Sequence, residues 1–322
     1  NIRHFEPIAT EHGLAQNIAL VSRVVLAGAY FISVSYYLQL LAVFLLKIMD
    51  VESQIAAHTI SSALLVSIGV IGMWRGLGIL EAVEKYAVSL NLAMIGALLV
   101  GLLVYNIQHV TSGQWTLPDV SSTIDLKDVR ILLGLLIVVQ GFETSRYLGT
   151  EHPPEQRIAA MRAAQILSAM IYLAFVGLAT VLFHDGIGSD VTAIIGMVKP
   201  VAIVLPVLLT IAAIGSQFSA AVADNAGAGG LIEEITHRKL PMRYAYLLIM
   251  LVTVALTWET NVNAIITYAS RAFALYYMLQ CVVALLVAMS NKDLPRRQLH
   301  LLLFGVLAVL CLLVFSFGLS SE

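Results

Sequence analysis

Apolar residues run along this chain in long blocks separated by short polar loops. About nine blocks approach or exceed the roughly 20 residues that a helix needs to cross a hydrocarbon core about 30 Å thick. They extend approximately from Ile18 to Met49, His58 to Trp74, Ile79 to Asn106, Val129 to Leu148, Ala163 to Phe183, Val201 to Ile232, Tyr244 to Trp258, Val262 to Met289 and Leu299 to Gly318. The first, sixth and eighth are long enough to tilt. The breaks carry turn chemistry, as in HDGIGSD after Phe183, TEHPPEQR after Gly149 and NKDLPRR after Ser290, and none has room for an extramembrane domain. The pattern predicts an all-α, polytopic membrane protein with one transmembrane domain over residues 1–322.

Charge then gives a direction. Lys and Arg are retained in cytoplasmic loops, and a cytoplasmic amino terminus puts twelve of them on that side, including Arg3, Arg75, Arg157, Arg162, Lys239 and Arg296. Only Lys47, Lys127, Arg130 and Lys199, four in all, fall outside. Composition agrees: 59% of residues are hydrophobic, 12% are charged and the mean hydropathy is +0.89, whereas a soluble domain carries about twice that charged fraction. No Lys/Arg cluster is dense enough to hold a phosphate backbone, so no nucleic-acid partner is expected. Cys281 and Cys311 lie in apolar runs with no metal or redox spacing.

Charges inside spans cost about 2.5–3.5 kcal/mol each and therefore mark a cavity or a partner. In VVQGFETSRYLG, Glu143 and Arg146 follow Gly141 and Phe142. Either the helix unwinds near Gly141 and frees backbone groups for a ligand, or a straight helix ends at the interface near Arg146. Asp224 lies deep in the sixth span on one stripe with Gln217, Ala220, Ala221 and Ala228. With Asn225 beside it, it either carries Na⁺ or a proton, or pairs with a base to hold two helices together. Arg271, about nine residues into the eighth span, needs an acidic partner: Glu143, Asp224 or a solute carboxylate. Tyr30 and Tyr37 share a face by their seven-residue spacing, with Ser33 and Ser35 nearby; the rings either cover a solute or pack between helices.

Four segments in order, AYFISVSYYLQLLAVFLLK, LEAVEKYAVSLNLAMIGALL, QGFETSRYLGTEHPPEQRIAAMRAAQ and SQFSAAVADNAGAGGLIEEITHRKLP, resemble the amino acid, polyamine and organocation superfamily of transporters. Its members share the leucine-transporter-type fold of two five-helix inverted repeats. The resemblance implies that Gly141, Phe142 and Glu143 form an unwound stretch of the sixth family helix, at the substrate or gate. It implies a coupling-ion region at Asp224 and Ser219, and a cavity wall at Tyr37 and Arg271. It assigns residues 1–107 to family helices 3–5, a partial first repeat; 128–290 to helices 6–10, the second repeat; and 299–318 to an additional helix, with the first two helices absent. Two departures stand out: an arginine common at the end of the eighth family helix is replaced near Gly229, and Asp224 stands where a serine or threonine is usual.

The expected function is a secondary active transporter of a small amino acid, amine or related organic solute, working by alternating access in a cell membrane, inner or plasma. Na⁺ or H⁺ is the expected coupling ion, no other cofactor or metal is expected, and the expected partners are the solute and the lipid bilayer. The alternative is a non-transporting sensor or accessory subunit that keeps the fold. An enzyme is not expected, since neither H-E-x-x-H nor G-x-S-x-G occurs.

Overall fold

The structure is a computed structural model that describes residues 1–9, 12–76, 78–118, 124–135, 141, 143–144, 152–183 and 190–319, with the backbone alone over 78–85. Ten α-helices are present among the described residues: α1 (Leu14–Ile48), α2 (Gln54–Arg75), α3 (Gly78–Thr111), α4 (Leu126–Gly134), α5 (Pro154–Ala179), α6 (Ala193–Met197), α7 (Leu205–Ile235), α8 (Met242–Glu259), α9 (Val262–Ser290) and α10 (Arg297–Phe317). Eight of these segments are long and apolar enough to cross a membrane. The protein is an all-α polytopic membrane protein.

Local chemistry sets several helix starts. The Ser53 hydroxyl accepts from the Ala56 N–H at the head of α2, and the Asn261 side chain accepts from the Ala264 N–H at the head of α9. Asp125 and Asp128 close a reciprocal capping box on α4. The fifth span begins about nine residues before the expected Ala163, because Pro154 at the first helical position opens α5 through PEQR. Its polar first turns lie below any hydropathy threshold, so Arg157 and Arg162, expected in a loop, are helical.

The fourth expected span, Val129 to Leu148, falls largely outside the described residues. Its described neighbours lie at opposite faces of the bundle. Arg130 donates from Nε to the Phe317 carbonyl (3.2 Å) and accepts from the Leu319 N–H (2.8 Å), which places α4 beside the far end of α10. Arg157 at the start of α5 instead grips Glu6 in the amino-terminal segment, through two hydrogen bonds of 3.0 and 2.7 Å.

At 35 residues, α1 is about 50 Å long. Leu26, Ala29, Tyr30, Val34 and Leu38 are fully buried along it. A helix apolar on all sides belongs inside a bundle, and α1 packs against α2, α7, α8 and α9. The windows that cross in α3, α5 and α10 are largely unburied, so these helices form the outer shell.

Without a hydrophobic drive between helices in lipid, close contact relies on small residues. The Tyr246 ring of α8 lies between Gly72 of α2 and Gly229 of α7; a Cβ at either glycine would come within 3.0 Å of ring carbons. That clearance explains why the end of α7 carries no side chain at Gly229. A Cβ at Gly230, one residue on, would meet nothing within 4 Å.

Gly229→Val is therefore expected to cost about 1–3 kcal/mol through overpacking and to lower the thermal midpoint of the detergent-solubilised protein. Gly230→Ala leaves the midpoint unchanged or raises it. Equal midpoints for Gly229→Val and the unaltered protein would discard the wedge.

Candidate functional site

Polar side chains converge in the bundle interior from four elements. Core-facing turns of α1 contribute Ser33, Ser35 and Gln39; α7 contributes Asp224 and Asn225; α9 contributes Tyr277; and the short stretch at Gly141, Glu143 and Thr144 supplies the fourth part. Glu143 and Asp224 are each only 5% exposed.

The helix that both readings assume lies outside the described residues on either side of Gly141. The Gly141 φ of +114° is not helical and suits glycine alone. The Gly141 N–H donates to Glu143 Oε2 (3.0 Å), and its carbonyl accepts from the Thr144 hydroxyl (2.7 Å). This is a tight turn that folds the carboxylate back onto its own backbone, and Gly141 itself is not in a helical conformation. Phe142 and Arg146 lie outside the described residues.

Hydroxyl groups from the neighbouring helices complete the site. Tyr277 donates to Glu143 Oε2 at 2.9 Å, and the Ser33 hydroxyl donates to Asp224 Oδ2. Among the described residues neither carboxyl group forms a salt bridge, while Glu143 Oε1 and the adjacent Asn225 Oδ1 are buried with no hydrogen-bond partner. A second polar row joins α1 to the end of α8: Ser35 bonds Thr257 (2.8 Å), and Gln39 Nε2 donates to Thr260 (3.2 Å). Gln39 also lines a cavity of about 590 Å³ that opens at the far face, where Lys47 lies 3.6 Å from Glu52 and 3.9 Å from Asp190.

The remaining sequence-derived candidates lie elsewhere. Ser219 is buried but faces the cleft between α3 and α7 with Asn91 and Ser216, whereas Asp224 faces α1. Five residues along a helix turn a side chain by about 140°, so the two do not meet. The Tyr37 ring lies tilted against that of Tyr36, with ring centres 5.0 Å apart. The acidic partner expected for Arg271 is corrected: Nε and Nη2 both donate to the Gly318 carbonyl, at 3.2 and 2.5 Å, at the end of α10. A helix carboxyl end is a site of partial negative charge, which answers the guanidinium without a carboxylate.

Sequence reasoning missed Tyr277. Its spacing in the run ALYYMLQ is that of ordinary packing, and its pairing with Glu143 spans 134 residues of chain. Arg23, which binds Glu234 at 2.8 Å across α1 and α7, was also passed over, because it lies close to the polar start of the first block.

A bundle of membrane-crossing helices with a non-helical glycine turn and two buried carboxyl groups in its interior has the architecture of a polytopic solute transporter. Residues 1–318 match the family described as APC superfamily transporter. An uncharacterized protein of Aquifex aeolicus (strain VF5) is 41% identical over 311 residues, which cover 96% of this chain and 74% of that relative. The chain belongs to the APC superfamily of transporters.

Arg271→Gln is expected to loosen the end of α10 and lower the thermal midpoint, a loss of about 1–3 kcal/mol for a charged hydrogen bond. Solute affinity, measured by scintillation proximity, stays within about twofold because the side chain is outside the carboxylate site. A large affinity loss with an unchanged midpoint would reverse that placement.

Proposed function

We propose that the protein is a secondary active transporter for a small amino acid, amine or related organic solute, coupled to Na⁺ or H⁺ and working by alternating access. One observation carries this reading: two buried carboxyl groups, Glu143 and Asp224, receive hydroxyl and backbone donors but form no salt bridge among the described residues. A carboxylate in an apolar interior must be protonated or matched by a cation. The orphan oxygens of Glu143 and Asn225 supply further acceptors for an ammonium group or a bare cation. Ser33 and Tyr277 hold the two carboxyl groups in place from α1 and α9.

Packing supports the inverted-repeat reading that alternating access needs. With α1, α2 and α3 set against α7, α8 and α9, α1 packs on α7 and α2 on α8, while the contact of α3 with α7 is mirrored by that of α9 with α1. The cavity at the far face, floored by Gln39, gives the polar row of α1 a route to that side. The excess of Lys and Arg supports a cytoplasmic amino-terminal face in a cell membrane.

Counterflow in proteoliposomes tests the proposal with a panel of labelled amino acids and amines, under a Na⁺ or a pH gradient. Exchange of at least one of them is expected. Glu143→Gln and Asp224→Asn should each slow it by at least about tenfold, equivalent to ~1.4 kcal/mol. No exchange of any solute under either gradient sinks the transporter reading; variants that exchange at the unaltered rate remove the two carboxyl groups from it.

A further inference from the structure

The amino-terminal segment is held down firmly for a stretch that crosses no membrane. Phe5 is 5% exposed and packs with Ala19 of α1 and Val283 and Val287 of α9. Glu6 takes the bidentate grip of Arg157, itself 3% exposed, and Asn1 Nδ2 donates to the Gln280 carbonyl (3.0 Å) and Oε1 (2.6 Å). These anchors fix Arg3 and His4 over a cavity of about 380 Å³ between α5, α9 and α10.

Four basic side chains meet at that cavity: Arg3 and His4 from the segment, Arg162 from α5 and His300 from α10. The two imidazoles are 6.3 Å apart. Neither arginine forms a salt bridge among the described residues, and no described carboxylate lines the cavity. Burial, with His300 and Arg3 nearby, holds the His4 imidazole below its usual value, so Arg3 and Arg162 carry most of the cavity's charge.

The floor is apolar, with Ile158, Val287 and Phe304, and its two outer walls belong to α5 and α10, both helices of the outer shell. Both helices are largely unburied over their membrane-crossing windows. We propose that it binds the phosphodiester headgroup of an anionic phospholipid from the leaflet on the amino-terminal face, with the acyl chains lying along α5 and α10. A free phosphate would satisfy the arginines but leave the apolar floor uncovered. Charge together with an open, lipid-facing apolar wall selects the lipid.

The test uses the detergent-purified protein and native mass spectrometry, with phosphatidylglycerol, phosphatidylcholine and inorganic phosphate as the probes. Phosphatidylglycerol should be retained in preference to phosphatidylcholine. Each of Arg3→Gln and Arg162→Gln should weaken that retention roughly fivefold, the double variant about 25-fold. Arg162→Lys, which keeps the charge, retains most of the binding, and this guards against misreading a folding defect. Lys239→Gln and Arg243→Gln, exposed on the same face but away from the cavity, should have no effect. Equal retention of the two lipids, or equal losses in the Lys239 and Arg243 variants, overturns the site. Full displacement of phosphatidylglycerol by millimolar inorganic phosphate overturns the lipid and leaves a phosphate site.

Discussion

Two carboxyl groups in a low-dielectric interior are the constraint around which this fold is arranged. Neither Glu143 nor Asp224 can shed its desolvation cost into water, so each must be surrounded by donors held at hydrogen-bonding distance. Those donors come from different helices. Ser33 reaches Asp224 from α1, Tyr277 reaches Glu143 from α9, and the Gly141 N–H arrives through a turn that only glycine adopts easily. Holding both acids therefore fixes α1, α7, α9 and the Gly141 turn against one another.

That requirement is compatible with membrane packing because the contacts around it are small. Alanines and glycines on α7 let α1 and α8 approach closely, and the Gly227 backbone passes directly beside the Tyr30 ring, 3.0 Å from where its Cβ would be. The Tyr30 ring in turn meets Phe273 edge to face, with centres 5.9 Å apart, joining α1 to α9 just beside the acids. The apolar core and the polar centre thus share the same helix faces. A helix shift that opened one would disturb the other, which is what a two-state transport element needs.

Much of this could be read from the sequence. Long apolar blocks announced the membrane-crossing helices, since nothing else satisfies backbone groups in lipid. Gly141 and Glu143 were legible as an irregular stretch, a broken helix or a helix end, because an acid after glycine is out of place on a lipid-facing helix, and Asp224 because its charge lies deep in a span. Partnership was less legible. Tyr277 looks like any core tyrosine until the fold brings it to Glu143, and periodicity cannot say which neighbour a helix face meets. Ser219 was grouped with Asp224 through the family resemblance, although five residues rotate one away from the other. The start of α5 was misplaced because its first turns are polar and bound by an ion pair to a segment 151 residues earlier, a contact that hydropathy does not register.

Arg271 shows how the site acquires its sign. Sequence alone made it the natural counter-ion for either acid, and such a pairing would have left the centre nearly neutral and able to take uncharged or anionic groups. In the folded chain its guanidinium is engaged by the Gly318 carbonyl at the end of α10. Arg23 is likewise drawn to Glu234, at the amino-terminal end of the bundle. Both intramembrane arginines of the described helices are thereby answered away from the centre. The fold thus holds the positive charges of Arg271 and Arg23 apart from the two acids.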